Sequence, residues 1–237
     1  MLLALTWAAG NIDAISYFGL GHVFTAMMTG NTVLLGLALA QGEVLAALRS
    51  ILALVGFSVG VFVGALIVER ESQPQDWPAV VTNAIGLEAV ILAIFAGTSF
   101  LTGGAGVAGV TYFLIFLFAT AMGIQSAAVR RLGVPGIATT YITGTLTSLM
   151  VDLLGWLRSI AARLPAERAK AGAGRGASPM PWEQRVGLLA GVVGLYCFGA
   201  FVGGVLEIQA SPLAPLMPLA AVMLVVVNAF IRQRQRT

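Results

Sequence analysis

Two stretches of this chain repeat one polar pattern inside apolar surroundings. Gly10-Asn11-Ile12-Asp13-Ala14 is followed by Met28-Thr29-Gly30-Asn31-Thr32, and Gly123-Ile124-Gln125-Ser126-Ala127 by Ile142-Thr143-Gly144-Thr145-Leu146. The offset is 113 residues at the glycines and 114 at the Thr-Gly pairs. A third echo joins Gly60-Val61-Phe62-Val63-Gly64 to Gly199-Ala200-Phe201-Val202-Gly203. A duplicated unit is expected, with a first transmembrane repeat over 1–100 and a second over 105–231. Polar, glycine-broken segments at matching places of a duplicated apolar chain are the pattern of a transporter core.

Composition makes the chain a membrane protein. Charged residues are 10%, hydrophobic residues 58%, and mean hydropathy is +0.93, whereas soluble domains carry about 25% charged residues. Residues 1–6 lack the basic start of a secretory signal. The net charge of +3 reflects basic loops and implies no nucleic-acid partner; the expected surroundings are membrane lipid. A single cysteine, Cys197, excludes an internal disulfide.

Apolar runs predict an all-α bundle of about eight spans, at 2–20, 22–41, 46–69, 78–100, 105–129, 134–157, 183–207 and 212–231. A basic loop over 158–182 interrupts the second repeat. With eight spans, ten of the 13 Lys and Arg share the side of both termini, against Arg70, Arg130 and Arg131 opposite. That bias predicts cytoplasmic termini in a bacterial inner membrane. Four spans per half would make the repeats parallel, related by an axis along the membrane normal. The alternative is six spans, with spans one and two forming a re-entrant hairpin.

Asp13 carries most of the functional reading. An acid within a span costs about 2.5–3.5 kcal/mol on insertion scales and is tolerated where it pairs, protonates or lines a wet cavity. It precedes the turn at Leu20-Gly21 by about as many residues as Thr29 and Gly30 follow it, which puts both roughly 11–13 Å below one surface. Asp13 and Thr29-Gly30-Asn31 are thus expected to face each other across a hairpin. Gln125, Ser126, Thr140, Thr143 and Gly144 should stand at equivalent depths in the second half. A polar cavity between the halves is the functional reading; hydrogen bonding between helices, with Asp13 capping a broken helix, is the alternative. Gly30 and Gly144 serve either close packing or helix breaks. Glu88, near the middle of span four, is a second candidate acid, as a proton carrier or a structural donor. The stripes Gly56-x3-Gly60-x3-Gly64, Gly187-x3-Gly191 and Gly199-x3-Gly203 are packing faces, either between the halves or in a homodimer.

Other chemistries lack their parts. One histidine and one cysteine give no zinc cluster and no triad, and no phosphate-binding Gly-x4-Gly-Lys loop occurs. No metal, cofactor or enzymatic activity is expected.

Gly10-x-x-Asp13-Ala14-x-x-Tyr17, Gly21, Phe24 and Met28-Thr29-Gly30-Asn31-Thr32 resemble the YoaK-type bacterial inner-membrane proteins, a family of unknown function. The run Gly123-x-Gln125-x-Ala127 to Arg130-Arg131, then Thr139-Thr140-Tyr141-x-Thr143-Gly144-Thr145, is similar to the same family. Met27 and Ser126 stand where the pattern has Asn, and the start looks short for the family. The resemblance implies an integral membrane protein without naming a substrate. The combined expectation is a secondary transporter of a small solute, with proton coupling through Asp13 or Glu88. A non-transporting membrane partner and, further off, a lipid-modifying enzyme are the competing readings.

Overall fold

The structure, a computed structural model, describes residues 1–69, 77–102, 108–133, 142–161 and 181–235. Within them lie eight helices: α1 (Leu2–Gly19), α2 (Met28–Gln41), α3 (Val44–Val68), α4 (Ala79–Thr102), α5 (Ala108–Arg131), α6 (Ile142–Ala161), α7 (Trp182–Ala210) and α8 (Leu216–Arg234). The described residues contain no strand. Continuous apolar sequence folds this way because a helix satisfies every backbone group internally, as a bilayer requires. Five helices, α3, α4, α5, α7 and α8, are long and apolar enough to cross a membrane. α1 falls outside that set. Its polar residues Thr6, Asn11, Asp13 and Ser16 are all buried, so it turns them to protein rather than lipid.

α2 begins at Met28, later than the apolar run predicts; the predicted start of the sixth span, 134–141, lies outside the described residues. The predicted loop 158–182 overlaps the end of α6 and the start of α7, and its centre lies outside the described residues.

Side-chain and backbone contacts fix the helix directions. α1 and α7 run parallel, with Leu3 beside Gly191, Asn11 against Gly203 and Gly19 against Glu207. α3 and α5 also run parallel, with Gly56 facing Phe116, Gly60 facing Thr120 and Gly64 facing Ile124. α1 and α5 are antiparallel, because Gln125 donates to the Leu5 carbonyl while Ile15 and Leu114 line one cavity. α8 runs against both α1 and α4: Leu2 and Ala229 share one cavity, Thr82 bonds Gln233, and Ile15, Ser99 and Pro215 share another. α6 opposes α7, as Asp152 pairs with Arg185 at 2.9 Å and Leu149 packs with Leu189 and Val192.

These directions correct the parallel relation expected between the halves. Parallel repeats need α1 and α5 to run the same way, and they run oppositely. The reason is α2. It turns back on α3 at Gly42-Glu43, with Ala38 and Gln41 beside Glu43 and Ala46, so α1 and α2 point the same way. α5 and α6 likewise share a direction.

Two of the three glycine stripes are used inside the chain, while Gly187 of the third meets nothing within 4 Å. A Cβ on Gly60 would overlap the Thr120 carbonyl, and one on Gly199 the Trp7 carbonyl. Gly10 and Gly123 sit equally tightly against the Tyr196 and Phe57 carbonyls. The two interfaces α1·α7 and α5·α3 therefore match residue for residue. The stripes through Gly60 and Gly199 are not free faces for a homodimer.

Candidate functional site

Residues 20–27 leave the end of α1 without forming a helix and re-enter the protein. The Asp13 carboxylate receives them there. Its Oδ1 accepts the backbone N–H of Thr25 at 2.9 Å and of Ala26 at 2.7 Å. Its Oδ2 accepts the phenol hydroxyl of Tyr196 from α7. Thr25 also donates through its hydroxyl to Ser16 at 3.3 Å. Asp13 lies six residues before the end of α1, so the chain returns to a depth of about 9 Å before α2 carries it out again. The carboxyl group sits beside the start of α2, where free N–H groups and the helix dipole would favour a charged form.

Asn31 holds the same segment from the other side. Its Oδ1 accepts the Phe24 N–H at 3.0 Å, and its Nδ2 donates to the Phe24 carbonyl. Asp13 and Asn31 thus replace the backbone partners that a helix over 20–27 would have supplied. Together they form a brace.

This arrangement revises several predicted roles. Asp13 and Asn31 do meet one segment, but Thr29 points outward and is exposed. Gly30 lies in regular helix in the first turn of α2; the break is at 20–27. Gly144 is likewise inside α6, and Thr143 is exposed. Thr140 lies outside the described residues. Gln125 is buried and its Nε2 reaches the Leu5 carbonyl at 3.4 Å, eight residues along α1 from Asp13, or about 12 Å in height. Half-buried Ser126 follows Gln125 on α5. The equal depth expected for the two polar groups fails because α1 and α5 run in opposite directions.

Glu88 occupies a different position. It is fully buried, and neither carboxylate oxygen has a hydrogen-bond partner. Phe95 and Phe118 stack across α4 and α5 with ring centroids 3.4 Å apart. Two helical turns from that stack, counted back along α4 and onward along antiparallel α5, stand Glu88 and Gln125. A seven-residue step returns each helix to nearly the same face, so the carboxyl and the amide face one interface. Asn11 on α1 is a second buried side chain whose amide atoms make no hydrogen bond.

Three cavities bear on this arrangement, and Asp13 lines none of them. One of about 370 Å³ opens near the chain termini and is lined by Trp77, Arg232 and Gln233. A second, near the far ends of α1 and α4, holds about 10 Å³ between Phe95, Ser99, Glu207 and Ser211, room for about one water. Glu88 is eleven residues from Trp77, which lines the first cavity, and seven from Phe95, which lines the second, roughly 16 Å and 10 Å along the chain at helical rise. A third cavity of about 290 Å³ lies between residues 21–23, α2 and α3. Among the described residues no group of His, Cys, Asp and Glu is placed to hold a metal.

Tyr196 was not legible as Asp13's partner, since 183 residues separate them. Its nearness to Gly199 was the available signal, because that glycine marks where α7 meets α1. The fully buried Asn11 stood in the first repeat motif without a role.

The chain belongs to the family described as "Protein of unknown function (DUF1275)", whose model matches residues 1–229. It is 46% identical over 156 residues to the UPF0700 transmembrane protein YoaK of Bacillus subtilis (strain 168). That match covers 66% of this chain and 66% of the relative, so the chain spans just under two thirds of that protein's length. No solved structure matches. The family and the apolar helices together make this a multi-pass membrane protein.

Proposed function

We propose that the protein is a proton-coupled secondary transporter of a small solute, with Glu88 as the coupling acid. The observation that carries this reading is the position of Glu88: buried, without a hydrogen-bond partner, and between cavities at opposite ends of the bundle. An ionised carboxylate there would lack any donor, which costs several kcal/mol. A protonated carboxyl is a neutral group the interior accepts. Opening toward either cavity would bring water to it and let the proton exchange. Asp13, with every oxygen engaged, is the brace of the re-entrant segment rather than the carrier.

The helix directions support two inverted halves, over 1–100 and 105–231. Each half makes three crossings, α1, α3 and α4 in the first and α5, α7 and α8 in the second. In each half one more helix, α2 or α6, runs the same way as the crossing before it. An odd number of crossings makes the second half enter from the opposite side, and discontinuous helices in inverted repeats are a recurrent transporter design. The charge pattern agrees. With three crossings per half, twelve of the 13 Lys and Arg share the side of the termini, and Arg49 alone is opposite. The eight-span assignment separated them ten to three. The bias supports cytoplasmic termini in a bacterial inner membrane.

The direct test is reconstitution in vesicles holding a pH-sensitive dye, with a panel of small amino acids, sugars and carboxylates added outside. Solute-dependent proton movement supports the reading. Vesicles that pass neither proton nor any solute of the panel contradict it.

A further inference from the structure

The cavity of about 290 Å³ at the face opposite the termini is lined by residues 21–23, α2 and the first turns of α3. Its lining joins His22, exposed Gln41 and Glu43, Arg49 and Ser50 to the apolar Val23, Leu34 and Leu37. Arg49 is partly buried, and its Nη1 donates to the Gly21 carbonyl at 3.2 Å. Gly21 has φ +85, and a Cβ there would press on the guanidinium, so the glycine permits the approach. That bond uses one of the five N–H donors of an arginine. The remaining donors meet no carboxylate, since the ion pair among the described residues is Arg185 with Asp152. Glu43 lines the same cavity and does not pair with Arg49. Ser50 is 3% exposed and also lines it, as does Gln41.

Two opposite charges in one cavity that do not bond each other leave room for a molecule that bonds both. We infer that this cavity binds a small zwitterion of the amino-acid type, its carboxylate on Arg49 and Ser50 and its ammonium on Glu43. The guanidinium offers the planar donor pair that matches a carboxylate. The volume suits a solute of a few heavy atoms. Gly21 opens the segment that Asp13 and Asn31 brace, so an occupant would touch the re-entrant chain directly. The inference does not depend on transport or on Glu88, and equilibrium binding tests it separately.

The experiment is calorimetric titration of the detergent-solubilised full chain with alanine, propionate and ethylamine, which carry both charges, the anion and the cation on one skeleton. Alanine is expected to bind at least tenfold more tightly than either of the others. Glu43→Gln should erase the advantage of alanine over propionate while leaving propionate binding intact. Arg49→Gln should remove both. Glu43→Gln leaves the Gly21 anchor in place, so its result stands even where Arg49→Gln disturbs the loop. Equal affinity for the three probes, no binding by any, or an alanine preference that survives Glu43→Gln would overturn the inference.

Discussion

The phenol of Tyr196 on α7 donates to the carboxylate of Asp13 on α1, across helices that come from opposite halves of the chain. The same carboxylate holds the N–H groups of Thr25 and Ala26. One side chain thereby ties the re-entrant segment to both halves.

That tie separates two substitutions. In Asp13→Asn the amide oxygen can still accept both backbone N–H groups, and its NH₂ can donate to the Tyr196 oxygen, since a phenol accepts as well as donates. Asp13→Ala leaves all three donors buried without a partner, at about 1–3 kcal/mol each. Thermal unfolding in detergent should show Asp13→Asn close to wild type and Asp13→Ala lowered by many degrees. Tyr196→Phe should fall between them. Equal losses for Asn and Ala would refute the brace.

Asn31 gives a second check on the same segment. Asn31→Asp keeps an acceptor for the Phe24 N–H but turns the donor that faces the Phe24 carbonyl into an acceptor. It should destabilise at least as much as Asn31→Ala, by about 1–3 kcal/mol, despite its closer size. Denaturation midpoints compared in one detergent decide the order.

The matched interfaces make a prediction about symmetry. Gly60→Ala drives a methyl into the Thr120 carbonyl and Gly199→Ala into that of Trp7, so the two should lose comparable stability. Gly36, in α2, meets nothing within 4 Å. Gly36→Ala should be neutral or gain about 0.5–1 kcal/mol from lower backbone freedom. A large loss at one of Gly60 and Gly199 and none at the other would argue against congruent interfaces.

Topology is checked with single cysteines in a Cys197→Ser background, labelled by an impermeant maleimide on intact cells. A cysteine replacing Glu43 should react from outside, and those replacing Glu69 and Leu132 only after permeabilisation. The eight-span arrangement demands the reverse at all three positions.

Much of this fold was legible. Apolar runs located the eight described helices, and the stripes through Gly60 and Gly199 marked tight packing, whereas Gly187 of the third stripe meets nothing within 4 Å. The difference between the predicted spans and the proposed topology is one of parity. Val23-Phe24-Thr25-Ala26-Met27 is apolar enough to read as helix, and hydropathy cannot distinguish a helix from buried chain whose backbone is held by Asp13 and Asn31. Under the proposed three crossings per half, counting the segment before α2 as part of a crossing turns an opposed pair of halves into a parallel one. Arg49, Arg70, Arg130 and Arg131 change sides between the two arrangements. Asp13 was recognisable as unusual, but its donors were not. Two are backbone groups of a segment taken for helix, and the third lies on α7, far along the chain.

The most direct measurement is proton movement in vesicles reconstituted with Glu88→Gln, beside wild type and Asp13→Asn. Glutamine keeps the size of Glu88 and removes its titration. Glu88→Gln should insert and fold as wild type does yet lose solute-coupled proton movement, while Asp13→Asn retains it with an unchanged pH profile. Full coupling in Glu88→Gln, or its loss in a well-folded Asp13→Asn alone, would show that Glu88 is not the coupling acid.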